Sequence, residues 1–130
     1  MGSDYPYGII GDSYDPVLWS GNEPPAHKKF IEDLKTFTHA QYASGWSIVG
    51  YQSIYALADG IKKAGDTKSD DVAKVLLGMT FDTPVGKRTF SAKSHETFAP
   101  EYWGVMAKEA AYPFAIMQNP ELLPPATETN

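Results

Sequence analysis

The chain contains no cysteine, which excludes disulfides, thiol nucleophiles and zinc–thiolate sites. No apolar run approaches the roughly 20 residues needed to cross a bilayer. A basic segment followed by an apolar one, the mark of a secretory leader, is also missing. A secreted form would therefore have lost its leader or carry it upstream, and Met1-Gly2-Ser3 reads as an added start. Positive charge is scarce: 11 Lys and Arg against 16 Asp and Glu give a net charge of -5. The basic doublets Lys28-Lys29 and Lys62-Lys63 lie beside acids in helical stretches and read as solvated faces. Nucleic acid and anionic membrane surfaces are thus not expected as partners.

Catalytic signatures are equally sparse. His27, His39 and His95 stand at no metal-ligand spacing, and each reads as a surface histidine. His95 and Glu96 are adjacent, and neighbours in extended chain point opposite ways. Glu32-Asp33 and Asp70-Asp71 fit helix surfaces better than a catalytic carboxylate pair. No nucleophile elbow, phosphate loop or dinucleotide fingerprint occurs. The expectation is a protein that is not an enzyme and uses neither metal nor cofactor.

What the chain does have is a globular composition over 130 residues, 42% hydrophobic and 13% aromatic. That length suits one ordinary domain. Eight Tyr, six Phe and three Trp are enough to line a solute cleft, although aromatics more often fill cores.

Gly8-Ile9-Ile10-Gly11 predicts a short buried strand. Asp12 to Pro25, with three prolines, reads as a loop that holds Tyr14 and Trp19. Pro25 suits the first turn of a helix, and Phe30, Ile31, Leu34 and Phe37 then recur at helical spacing, ending near Phe37. A second helix runs from Trp46 or Ser47 to Ala64, with Tyr51, Ile54, Leu57, Ala58 and Ile61 on its buried face. Ile48 and Tyr55 widen that face, and Gly65 terminates the helix. Ser69 is placed as the N-cap of a third helix, with Asp70 and Asp71 at its positive end and Val72, Val75 and Leu76 inward. Gly78 closes it. Thr83-Pro84-Val85-Gly86 reads as a turn before the alternating run Lys87 to Phe90. Tyr102 to Ala107 and Tyr112 to Met117 read as a hairpin, the second arm beginning as, or being, an edge strand because of Pro113. Residues 118–130, with three prolines, read as a tail, either mobile or draped over the body. One strand before three broad-faced helices leaves too little sheet for a self-sufficient α/β domain.

These pieces, in this order, resemble the type I periplasmic substrate-binding proteins of ABC transporters, in the branched-chain amino acid-binding (Leu/Ile/Val-binding) family. Gly50 to Gly65 is similar to that family's "GYDAVYLLADAIEKAG" helix, and Asp70 to Leu76 resembles its short "VAKAL" helix. Phe81-Asp82-Thr83-Pro84-Val85-Gly86-Lys87-Arg88-Thr89-Phe90 resembles its "TPxGxVTF" turn and strand. Tyr7-Gly8-Ile9-Ile10 and Phe30-Ile31-Glu32-Asp33-Leu34 match the strand and helix upstream. The likeness runs from about residue 7 to residue 117.

The resemblance implies an α/β fold that forms the C-terminal part of a two-lobed molecule, three helices followed by a strand hairpin. Residues 1–6 would be an added start or linker, 7–117 the family segment contributing to both lobes, and 118–130 the tail. It implies an extracytoplasmic, periplasmic protein that captures a small organic solute for an ABC permease. The N-terminal part of the same protein would supply most contacts to the solute carboxylate, so this segment would not bind solute alone. A ligand-binding sensor of the same fold, and a small α/β domain of unrelated function, are the alternatives. A severed segment is expected to dimerise, swap elements or expose apolar surface.

Trp46 matches a position where relatives set an aromatic against the solute. Tyr7 matches one where amino acid-binding relatives often place a carboxylate for the solute ammonium. Tyrosine lacks that charge, which favours an amide or aromatic acid over a plain amino acid. Tyr14 and Tyr42, in the loops before the first and second helices, complete the expected ligand-binding set.

Overall fold

A computed structural model describes residues 4–13, 15–99 and 101–123. The elements run β1 (Ile10–Ser13), β2 (Trp19–Ser20), α1 (Pro25–Thr38), α2 (Gly45–Ala64), α3 (Ser69–Leu76), β3 (Thr80–Thr83), β4 (Gly86–Phe90), β5 (Thr97–Phe98), β6 (Glu101–Lys108) and β7 (Ala115–Leu123). They build two sheets, one four-stranded in the order β1-β6-β7-β2 and one three-stranded in the order β3-β4-β5. The first is mixed: β1 and β7 run antiparallel to β6, and β2 runs parallel to β7. The expected α/β architecture, three helices followed by strands that include a hairpin, is present.

The helices form where the sequence offers local reasons for them. Pro25 occupies the start of α1, where its missing N–H costs nothing. The helix ends at Thr38, with His39 left-handed at φ 54 and its N–H donating to the Lys35 carbonyl. Gly65 closes α2 in the same way at φ 69, its N–H donating to the Ile61 carbonyl. Ser69 is not the N-cap of α3; that place belongs to Lys68. Asp66 explains the shift, because its Oδ1 accepts from the N–H groups of Thr67 and Lys68 and organises the turn one step upstream.

Two apolar cores result. In one, Val17, Trp19, Phe30, Ile48, Val85, Tyr102 and Met117 join the four-stranded sheet to α1 and the first half of α2. In the other, Ala56, Met79 and Phe81 lie between the second half of α2 and the small sheet, with Leu76 of α3 and Phe90 against them. The 20-residue helix α2 spans both.

Several expectations are corrected. The buried line of α2 is Ile48, Gln52, Ala56 and Gly60, four residues apart. Tyr51, Ile54, Tyr55 and Leu57, expected inside, are exposed. The strand expected at Gly8–Gly11 enters the regular ladder at Ile10, with Gly8 and Ile9 still bonded to Met106 of β6, and it is not buried: Ile10 is 68% exposed on the free edge of the sheet. Phe37, at the end of α1, projects at 85% exposure.

β7 is no edge strand, since it lies between β6 and β2; Pro113 falls in the turn before it. β7 also continues through Leu123, so 118–123, assigned to the tail, pairs with β6. Residues 124–130 lie outside the described residues. Pro120 fits within the strand because the register slips there, with Gly104 facing both Asn119 and Pro120.

His27 is also not on the surface. It is fully buried, with Nε2 donating to the Pro16 carbonyl at 2.7 Å and Nδ1 meeting Glu23 Oε1 at 2.6 Å. Trp19 packs against it, ring centroids 5.2 Å apart, and turns inward rather than toward a ligand.

Candidate solute-contact site

The sheet places two of the expected site residues at one end. Gly8 donates its N–H to the Met106 carbonyl, two residues before β6 ends at Lys108. Tyr7 therefore flanks the end of the sheet where β6 turns into β7; it is 40% exposed and lies 5.3 Å from the Tyr5 ring. Tyr42, in the loop between α1 and α2, sets its ring 5.6 Å from Tyr112 and 5.1 Å edge-on to Phe114, both in that same β6–β7 turn. Trp46 follows four positions later, in the first turn of α2, and is 82% exposed. Tyr14 lies outside the described residues.

Sequence reasoning missed Tyr112 and Phe114 as members of this cluster. Their apolar run signalled strand, and nothing in it signalled a site. Tyr112 is half-buried, and burial pushes its phenol up, with the negative charges of Glu23 and Glu109 adding to the effect. Glu109, in the same turn, accepts a 2.6 Å hydrogen bond from Ser20 Oγ and so ties the turn to β2. Tyr42, Tyr112 and Phe114 form one aromatic cluster and Tyr5 and Tyr7 a second pair at the same end of the sheet, together an aromatic rim. Such groups stack on a flat solute and exchange hydrogen bonds with its polar ends.

A second polar feature sits where the two cores meet. Arg88 of β4 forms an ion pair with Asp15 at 2.6 Å, both side chains nearly buried. Gln52 of α2 donates from Nε2 to the same Asp15 Oδ1 at 3.1 Å. Nothing in the sequence pattern joins these three residues, which come from a loop, a helix and a strand. Among the described residues no group of His, Cys, Asp and Glu could hold a metal ion, and no helix is long and apolar enough to cross a membrane.

Comparison with known proteins agrees with this fold. Over 90 residues the chain is 31% identical to the leucine-, isoleucine-, valine-, threonine- and alanine-binding protein of Pseudomonas aeruginosa, covering 65% of this chain and 24% of that protein. A branched-chain amino acid ABC transporter protein from Rhodopseudomonas palustris CGA009 superposes with a TM-score of 0.75 at 21% identity, over 91% of this chain and 31% of that one. A solute-binding protein of an ABC transporter from Rhodopseudomonas palustris BisB5, solved with 3,4-dihydroxybenzoic acid, gives 0.74 at 14% identity, over 92% and 31%. At those identities the structures establish the fold. The chain thus spans about a quarter to a third of the length of the relatives it matches. The family model for periplasmic binding proteins matches residues 9–111, most of the chain, and the chain belongs to that family of binding proteins.

Proposed function

We propose that the chain is the C-terminal portion of an extracytoplasmic solute-binding protein that hands a small organic solute to an ABC importer. The observation that carries the reading is the aromatic rim at one end of the four-stranded sheet, with Tyr7, Tyr42, Tyr112 and Phe114 around the β6–β7 turn. Trp46 stands exposed at the start of the next helix. In this reading Trp46 and Tyr42 stack on the solute, and Tyr7 and Tyr14 offer phenol groups to its polar atoms.

The two cores, bridged by α2, support a segment that contributes to both lobes. The exposed apolar residues of α2, Ile54 and Leu57, suit cover by the N-terminal part of the same protein. Without that part, a second copy of the chain is the substitute partner, and the closed binding protein docks on a membrane permease.

Solute chemistry follows from Tyr7. A phenol at this position supplies hydrogen bonding but no negative charge for an ammonium group. The reading therefore favours an aromatic acid or amide over a plain amino acid. The P. aeruginosa relative is named for aliphatic amino acids, and one fold relative was solved with a hydroxylated benzoate, so both classes belong in the test. A thermal-shift screen of the full-length protein carrying this segment compares leucine and valine with benzoates and amides. A shift with aromatic acids or amides, reduced by Trp46→Ala and Tyr42→Ala, is expected. A large shift with leucine or valine overturns the argument from Tyr7, and no shift with any of them overturns the solute reading.

A further inference from the structure

Between α2 and the three-stranded sheet lies a cleft of about 280 Å³, away from the aromatic rim. Its walls are apolar, with Val49, Ala56, Phe81 and Phe90 among them, and its polar lining includes Asp15, Gln52 and Arg88. Gln52 is 6% exposed, and while its Nε2 is engaged by Asp15, its Oε1 has no hydrogen-bond partner among the described residues. A buried carbonyl oxygen without a donor costs free energy, and native structures seldom leave one so unless water or a ligand meets it.

We propose that this cleft is a binding site for a small neutral molecule with a ring-sized apolar body and one hydrogen-bond donor, of the phenol or aryl alcohol class. Size is the first reason, since a cavity of about 150 Å³ already accepts a benzene ring. Charge is the second. Asp15 and Arg88 neutralise each other at 2.6 Å, so a charged occupant would find an opposite charge only by breaking a buried pair. The free acceptor on Gln52 is the third, because it specifies a donor and rejects an apolar isostere. With Nε2 held by Asp15, the amide stays oriented and its oxygen is left for a donor brought by the occupant. The site lies at the junction of the two cores, at the opposite end of β6 from Tyr7. An occupant would touch α2 and the small sheet together.

Two-dimensional NMR titration of the 130-residue chain tests the proposal with phenol, benzyl alcohol, toluene and benzoate. Saturable shifts of the Gln52 side-chain amide and of Ala56 and Phe81 are expected with phenol or benzyl alcohol, and about tenfold weaker ones with toluene and benzoate. Gln52→Met should remove the preference for the donor while the backbone spectrum away from the cleft stays unchanged. Equal binding of toluene and phenol overturns the proposal, as does the absence of saturable shifts at these residues. Shifts confined to Tyr42 and Trp46 overturn it as well, and would instead belong to the rim.

Discussion

Asp15 and Arg88 stand 73 positions apart in sequence and meet at 2.6 Å, with 13% and 7% of their side chains exposed. Asp15 follows β1 of the four-stranded sheet, and Arg88 lies in the middle of the small sheet. Gln52 joins them from α2, so one carboxylate ties together a loop, a helix and a strand. α2 and Val85 already join the cores through apolar contacts, and this polar link adds a directed, charged contact where they meet.

A buried pair loses most when a single partner is removed, because the other charge stays desolvated. Arg88→Met should destabilise the chain by about 3 kcal/mol, read by urea denaturation. Asp15→Asn combined with Arg88→Met should cost less than the two single changes added together, with a coupling of about 1–3 kcal/mol. Strict additivity would show that the pair does not link the modules.

The same three residues explain which parts of the fold the sequence made legible. The turn Thr83-Pro84-Val85-Gly86 was readable because its chemistry is local: β3 and β4 pair as Thr83↔Gly86 around Pro84 and Val85. The end of α2 at Gly65 was readable for the same reason. The inward face of α2 was not. Periodicity ranks residues by hydrophobicity, whereas the inward line of α2 includes Gln52, whose amide is met there by Asp15, 37 positions away. On the same line Ile48 and Ala56 enter the two cores and Gly60 lets Leu76 of α3 approach closely, which leaves Ile54 and Leu57 in solvent. The aromatic rim was half legible. Tyr7 and Trp46 came from family resemblance, whereas the contact of Tyr42 with Tyr112 and Phe114 depends on the β6–β7 turn meeting the α1–α2 loop, distant in sequence.

His27 is a second polar residue that hydrophobic patterning misplaces. Its ring fills space beside Trp19 and holds the Pro16 carbonyl and Glu23 through its two nitrogens. His27→Ala removes the ring and both contacts, at an expected cost of about 2–4 kcal/mol. A melting curve within experimental error of the unmodified chain would contradict the buried placement.

At the β6–β7 register slip, Gly104 has no room for a side chain. A Cβ there would stand 2.6 Å from Met117 Cγ, 3.1 Å from the Gln118 carbonyl oxygen and 3.2 Å from Pro120 Cα. The methionine can move, whereas two of the contacts are backbone. Gly104→Ala should therefore destabilise by about 1–3 kcal/mol, with amide exchange accelerated at β6 and β7 and little change in α3. Uniform acceleration throughout the chain would point to global loss rather than to a local clash.

Tyr102 gives the alkaline limit. Its hydroxyl donates to the Val85 carbonyl and so pins the four-stranded sheet to the β3–β4 turn. Burial pushes its phenol above the ordinary value of 10, and the negative charge of Asp15 acts in the same direction, partly offset by Arg88. The folded state therefore holds this proton more tightly than the unfolded chain does. The stability so gained is full below about pH 10 and is lost as pH rises beyond it. Tyr112, raised by burial, and Tyr51, raised first by its hydrogen bond with Tyr55, contribute with the same sign. Tyr102→Phe should cost about 1 kcal/mol at neutral pH through the lost hydrogen bond. It should also make the decline above pH 10 shallower without abolishing it, as measured by urea midpoints across the alkaline range. An unchanged slope would mean that the Tyr102 proton is no better held in the folded chain than in the unfolded one. The link between sheet and turn would then rest on packing alone.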